Sequence, residues 1–405
     1  MTMLIALLLC GLLLAASADP SPHAEYVQYL IQSNQLPRIS DNVIEDANLD
    51  VAGLIQKYRY PFEEHSVTTS DGYMLTMHRI PHGRDANNQP GNRPIVFLMH
   101  GLFSSSADYV LMGPGTALAY ILAEEGYDVW MGNARGNYYS RKHLWLRPDA
   151  LLNTAYWEFS WDEIGNIDVP AMIDYALEHT GNSRLHYIGH SQGTTSFFVM
   201  GSLRPEYNAK IISMQALAPV AYMGNNKSLL LNAISPFARN IAVIMCFSQF
   251  RKLRNISQLL LPKVAKTFDV EIIHSQTMLP VKLGHTPAGA SIRQLAHYGQ
   301  GISGKQFQRY DHGLTKNLRL YGSFSPPRYD LSKVTAPVFL HYSAADPLAH
   351  VDDVDRLFRE LGRPVGKFEI EQSTFSHLDF IWGIDAKTLL FNRVINFLKA
   401  MEANS

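Results

Sequence analysis

Short apolar runs alternate with longer stretches of helical spacing along most of this chain. Ile95–Met99, Tyr127–Met131, Leu185–Ile188, Lys210–Ala218 and Pro337–Tyr342 are largely apolar and of strand length, as strands covered on both sheet faces require. Between them, Gly115–Glu125, Trp161–His179, Thr194–Leu203 and Val351–Leu361 have helical spacing. In the second of these, Ile164, Ile167, Val169, Met172, Ile173 and Leu177 mostly share one face. Lys367–Ile370 predicts another strand. Lys387–Met401 predicts a closing helix with Leu389, Leu390, Val394, Ile395 and Leu398 turned inward. Upstream, Val51–Tyr58 has helical spacing, and His65–Thr69 and Met74–Ile80 flank the turn Ser70-Asp71-Gly72, a hairpin signal. Strand–helix alternation of this kind predicts an α/β fold with a mostly parallel central sheet flanked by crossover helices.

The alternation stops after Pro219. From Val220 to Pro326 the apolar stretches are helix-like and no buried-strand run stands out. The predicted organisation is a core over 49–219 and 327–405, interrupted by a helical insertion over 220–326. Residues 19–48 are polar and without strong periodicity, which suits an arm, a pro-segment or a short helix around Ala24–Ser33. Residues 1–18 read as a secretory signal, with an apolar stretch at Leu4–Leu14 and the small-x-small pattern Ala16-Ser17-Ala18. That run is shorter than the roughly 20 apolar residues a membrane span needs. No later segment of that length is free of charges, so no transmembrane span is expected.

Composition narrows the classes further. The 405 residues carry a net charge of -1 and no long basic run, which leaves no electrostatic case for nucleic acid. Of the 2 cysteines, Cys10 lies in the signal, so the mature chain keeps only Cys246 and has no intrachain disulfide. Cys246 sits in the apolar run Ile241–Phe247 and reads as a buried small hydrophobe. In a secreted chain, the sequons at Asn226 and Asn255 predict glycosylation on exposed loops. A monomer is expected.

The chemistry centres on Gly189-His190-Ser191-Gln192-Gly193, a G-x-S-x-G nucleophile elbow with a predicted strand before it and a helix after it. A serine hydroxyl needs a base to take its proton and a third group to orient that base. In this layout the acid and then the histidine follow the serine, each at the C-terminal end of a strand. Asp346, just past Pro337–Tyr342, is the candidate acid; Asp352, Asp353 and Asp355 fall on the next helix. His377, past the last strand, is the candidate base. His341 lies inside a strand, and His350 lies on the wrong side of the acid's helix. Asp379 reads as a local hydrogen-bond partner. The oxyanion donors are expected to be the backbone N–H groups of Gln192 and Leu102, with His100 and Gly101 shaping the turn. Asn133-Ala134-Arg135-Gly136-Asn137 reads equally as a phosphate contact or a post-strand turn. No metal-ligand spacing and no dinucleotide fingerprint is present, so neither metal nor cofactor is expected.

With these residues in place, the chain resembles the acid lipase family of the α/β-hydrolase fold, which includes gastric and lysosomal acid lipases. The likeness runs from about Val51 to Leu398. It rests on Tyr60-Pro61-Phe62-Glu63-Glu64, Asp71-Gly72-Tyr73-Met74-Leu75, His78-Arg79-Ile80-Pro81, His100-Gly101-Leu102 and Gly132–Asn137. Trp157–Glu163, the elbow itself, Tyr310-Asp311-His312-Gly313 and Ser376–Phe380 complete it. The resemblance places the triad on Ser191, Asp346 and His377 and the oxyanion donors on Leu102 and Gln192. It implies ester hydrolysis in neutral lipids, triacylglycerols or cholesteryl esters, by a secreted or lysosomal protein that meets a lipid–water interface or membrane surface transiently. It also implies that 220–326 is a cap with a movable lid. The family commonly carries extra cap cysteines; here only Cys246 remains. A carboxylesterase of small soluble esters and a non-catalytic lipid carrier are the competing readings.

Overall fold

Two short capped helices come first among the residues described by the computed structural model, which are 40–150, 154–228, 232 and 278–403. The signal segment, Cys246 and Asn255 lie outside the described residues. The Ser40 hydroxyl accepts from Val43 N–H and starts α1 (Asp41–Asn48). The Asp50 carboxylate accepts from Gly53 N–H and starts α2 (Val51–Lys57). The sequence assigned residues up to 48 to a polar arm or pro-segment, but α1 is docked. Ala47 is buried, and so is Asp46, whose carboxylate takes Lys57 Nζ at 2.6 Å and the Tyr58 hydroxyl at 2.5 Å. A helix anchored through a buried carboxylate leaves little trace in hydrophobic periodicity.

The strands follow in chain order with their helices. They are β1 (Glu63–Thr68), β2 (Tyr73–Ile80), β3 (Ile95–Met99), α3 (Leu118–Glu124), β4 (Asp128–Gly132) and β5 (Lys142–His143). After these come α4 (Val169–Thr180), β6 (Leu185–His190), α5 (Gln192–Leu203) and β7 (Ile211–Leu217). Among the described residues, three helices, α6 (Leu279–His285), α7 (Ile292–Gly304) and α8 (Leu314–Tyr321), precede β8 (Val338–Tyr342), α9 (Val351–Glu360), β9 (Pro364–Glu369) and α10 (Asn392–Glu402). Among the described residues the 9 strands form one sheet in the order β1-β2-β4-β3-β6-β7-β8-β9, with β5 paired to β2. The steps from β4 through β3, β6, β7 and β8 to β9 are parallel; the hairpin end at β1, β2 and β4 is antiparallel. The central strands β3, β4 and β8 are buried at every residue, which is why each read as a largely apolar run, with Asp128 in β4 and His341 in β8 as buried polar exceptions. At the far edge, β9 alternates half-buried and exposed residues from Pro364 onward. An edge strand packs one face and tolerates proline at its start, so its apolar signal was weaker and its predicted start fell late.

The helix predicted from Trp161 is broken by a π-turn over Ile164–Asp168. Gly165 sits against α5, where a Cβ would fall 2.6 Å from Ser196 O. The π-turn also delivers Asp168 to Arg135. Arg135 Nε and Nη2 donate to Asp168 Oδ1 at 2.8 and 2.6 Å, and Nη1 donates to Asp71 Oδ2 at 2.6 Å. Arg135 and Asp168 are buried, whereas Asp71 is partly exposed. The guanidinium is therefore committed inside the protein and is not available to a phosphate. Arg135→Ala would strand the Asp168 charge in the core, with an expected loss of about 3–5 kcal/mol in urea unfolding. Asp71→Asn, with its partner still satisfied by Asp168, is expected to cost about 1 kcal/mol or less.

Candidate active site

Ser191 occupies the single residue between β6 and α5, with φ 51° and ψ -118°, a backbone state that L-residues with side chains rarely adopt. Close approach of neighbouring backbone enforces it. A Cβ on Gly193 would lie 2.0 Å from Met99 O at the end of β3, and one on Gly189 would lie 2.7 Å from Gly193 C. Ser191 N–H donates to Leu217 O at 3.1 Å, while Ser191 O accepts from Thr194 N–H at 2.9 Å and Thr194 Oγ1 at 2.6 Å. Each hydrogen bond opposes relaxation of the bend, so the hydroxyl stays projected beyond the sheet.

Two loops past the C-terminal ends of later strands meet it. His377 Nε2 lies 2.8 Å from Ser191 Oγ, and His377 Nδ1 lies 2.7 Å from Asp346 Oδ2. Asp346 follows β8 and His377 follows β9. The other carboxylate oxygen of Asp346 accepts from Leu348 N–H at 2.8 Å and Ala349 N–H at 3.0 Å. Burial pushes the Asp346 carboxyl up, but the adjacent His377 and these two N–H groups outweigh it and hold the group below its ordinary value. Asp346 is thus built to stay ionised against an imidazole. The hydrogen-bond chain runs unbroken from the carboxylate to the serine, a geometry suited to taking the proton from Oγ as it attacks a carbonyl.

The backbone at Gly101 crosses just above the nucleophile. A Cβ there would lie 3.3 Å from both Ser191 Cβ and His190 Nδ1. The N–H groups of Leu102 and Gln192 flank this point, and neither finds an acceptor among the described residues. Gln192 also opens α5, where the helix dipole favours developing negative charge. His100 holds the loop: its Nδ1 donates to Gly101 O at 2.8 Å and its Nε2 accepts from Ala134 N–H at 3.1 Å. Asn133 Oδ1 accepts from Ser106 N–H at 2.9 Å and from Asn137 Nδ2 at 2.8 Å. The Asn133–Asn137 stretch is therefore a turn that braces the donor loop.

His190, adjacent to the serine, supports His377 from behind. Its Nε2 donates to His377 O at 2.9 Å, and burial, helped by the neighbouring His377, pushes its imidazole down to about 3. The sequence reading gave His100 the shaping of the turn but passed over His190, Asn133 and Asn137 as support. The available signal was their position, immediately beside the nucleophile or just past β3 and β4. The rejected candidates have structural partners instead. His341 Nε2 lies 2.9 Å from Gln215 Oε1, and His350 caps α9. Asp353 accepts from Asn225 N–H at 2.9 Å, and Asp355 pairs with Lys367. Asp379 accepts from Ser376 N–H at 2.7 Å.

The segment between β7 and β8 reaches over the elbow. Gln294 on α7 donates from Nε2 to Gln192 Oε1 at 3.1 Å, and His297 stacks on Trp161 at 3.7 Å. Asn226 lies near the start of this segment, but not on the exposed loop its sequon suggested. It is buried, and its Nδ2 donates to Met223 O at 3.2 Å and Asn232 Oδ1 at 3.3 Å. A glycan on Nδ2 would displace one of those hydrogens, so the side chain would have to turn outward. The second sequon, Asn255, lies outside the described residues.

Known proteins share both the sequence and the fold. Residues 51–113 match the family described as the partial alpha/beta-hydrolase lipase region, and residues 94–384 match the alpha/beta hydrolase fold. Lipase 1 of Drosophila melanogaster is 43% identical over 373 residues, covering 88% of this chain and 81% of the relative. Gastric triacylglycerol lipase of Bos taurus is 35% identical over 370 residues, covering 87% of this chain and 92% of the relative. A hydrolase structure from Pseudomonas aeruginosa PA01 superposes with a TM-score of 0.52 at 14% identity, over 83% of this chain and 98% of that chain. That last likeness speaks for the fold alone. Identity at this level over nearly the whole of both partners carries more: the chain belongs to the acid lipase family of α/β-hydrolases.

Proposed function

We propose that this protein is an extracytoplasmic serine lipase that hydrolyses carboxylic esters of neutral lipids, triacylglycerols foremost, through an acyl-enzyme. The observation that carries the proposal is the continuous hydrogen-bond chain Asp346–His377–Ser191, with separations of 2.7 and 2.8 Å. Ser191 Oγ attacks the ester carbonyl while His377 Nε2 takes the hydroxyl proton. The carbonyl oxygen, now negative, is received by the N–H groups of Leu102 and Gln192. The tetrahedral species collapses, the ester C–O bond breaks, and the departing alcohol carries off the proton held on His377. Water then gives His377 its proton as it attacks the acyl-enzyme, and Ser191 regains its hydrogen as the fatty acid leaves. Each backbone donor is worth about 3–4 kcal/mol at that transition state.

A lipid substrate is supported by the gastric triacylglycerol lipases among the relatives, which are 34–35% identical to this chain. Residues 1–18 support export, to the extracellular space or the lysosomal lumen. Among the described residues no helix is long and apolar enough to cross a membrane.

Two measurements test the reading. Ser191→Ala is expected to abolish hydrolysis of every ester tried while leaving the thermal unfolding midpoint in place, and Asp346→Asn is expected to lower kcat about 10⁴-fold. Equal activity in wild type and Ser191→Ala would remove the mechanism. On emulsified long-chain triacylglycerol the wild type is expected to exceed its kcat/KM on a soluble short-chain ester; the reverse preference would indicate a carboxylesterase with the same machinery.

A further inference from the structure

A second cluster of chemically active side chains lies at the opposite edge of the sheet. Glu63 and His65 are two residues apart on edge strand β1 and so share one face. His179, in the last turn of α4, comes against them, with its ring centroid 4.6 Å from that of His65. One donor atom from each of the three lies within 4.8 Å of the others. Two imidazoles and a carboxylate form a donor set suited to Zn²⁺ and similar divalent cations, at bond lengths of about 2.0–2.2 Å. Small side-chain rotations close the remaining gap.

The surroundings favour a cation there. Arg79 forks onto Asp128 with two contacts of 2.8 Å and also donates Nη1 to Glu63 Oε2 at 2.7 Å. Two carboxylates against one guanidinium leave a negative charge over. The C-terminal end of α4 adds the negative end of a helix dipole. Tyr175, one turn before His179, places its hydroxyl 3.2 Å from His65 Nδ1. His65 Nε2 lies 2.9 Å from Glu63 Oε2 and donates there in the metal-free protein; on binding, the ion takes the place of that proton, and Nδ1–H donates to the Tyr175 hydroxyl, the outer-shell contact that orients a ligating histidine.

We propose that Glu63, His65 and His179 bind a divalent cation of the Zn²⁺ type, with water completing the shell, and that the ion clips edge strand β1 to α4. Strands β2, β4 and β3 stand between β1 and the elbow strand β6, so the ion takes no part in ester hydrolysis. The sequence hid this site because its ligands come from distant segments without a contiguous metal motif.

The test uses the full chain, stripped with a chelator and then titrated with Zn²⁺ by calorimetry, with Co²⁺ absorption reporting the ligand field. The wild type is expected to take up one ion, and its thermal unfolding midpoint is expected to rise in Zn²⁺. His179→Gln, on an exposed side chain, is expected to weaken binding at least about tenfold. His65→Gln combined with His179→Gln is expected to abolish both binding and the thermal shift, while kcat/KM on an ester stays the same with and without metal. Absence of binding by the wild type, or equal binding by wild type and His179→Gln, would overturn the proposal. Because His179→Gln removes only an exposed ring, it serves even where the double variant does not fold.

Discussion

The contact between the backbone of Gly193 and the carbonyl of Met99 is the constraint on which the candidate site depends. It presses the first turn of α5 against the end of β3 at a distance no side chain could occupy. Two consequences follow from one contact. Ser191 is left in a bend it would not otherwise hold, and the loop starting at His100 is brought directly over the nucleophile. The serine and the candidate oxyanion donors are therefore positioned by the same piece of packing, and movement of β3 relative to α5 would disturb both.

Neutral, buried histidines carry much of the loop geometry around this contact. Burial pushes His100 down to about 4, and His190 and His297 down to about 3. A neutral imidazole offers one donor and one acceptor, which lets it join two backbone segments without introducing charge. His100 joins the oxyanion loop to the turn after β4, and His190 holds the carbonyl of His377. His297 fastens α7 between Ser160 at 3.0 Å and Gln308 O at 2.9 Å. Of these histidines and His377, His377 alone has a carboxylate behind it, and that difference separates it from its supports.

Legibility in the sequence followed the physics of each element. Strands covered on both faces read clearly because nearly every residue of β3, β4 and β8 is apolar; the exceptions, Asp128 and His341, are buried against Arg79 and Gln215. The edge strand β9 and the two-residue β5 read poorly because one packed face, or none, imposes little pattern. Helix α1 was missed as a docked element because Asp46, and not an apolar stripe, anchors it. The π-turn at Ile164–Asp168 was invisible because its cause is the close approach of Gly165 to Ser196 on another helix. Asn226 carries a valid sequon, yet hydrogen bonds from its amide hold it inward.

What the sequence determined by itself was the order of chemistry along the chain: an elbow with its two glycines, then an acid and a histidine, each just past a predicted strand. Parallel-sheet topology turns that order into proximity, because the strand ends converge on one edge of the sheet. The tertiary structure alone decided which groups support which. The pairing of Arg135 with Asp168 and Asp71, the bracing of the oxyanion loop by Asn133 and His100, and the gathering of Glu63, His65 and His179 all join residues distant in sequence. Such contacts depend on side-chain direction and distance across packed elements, which leave no periodic mark in a linear chain.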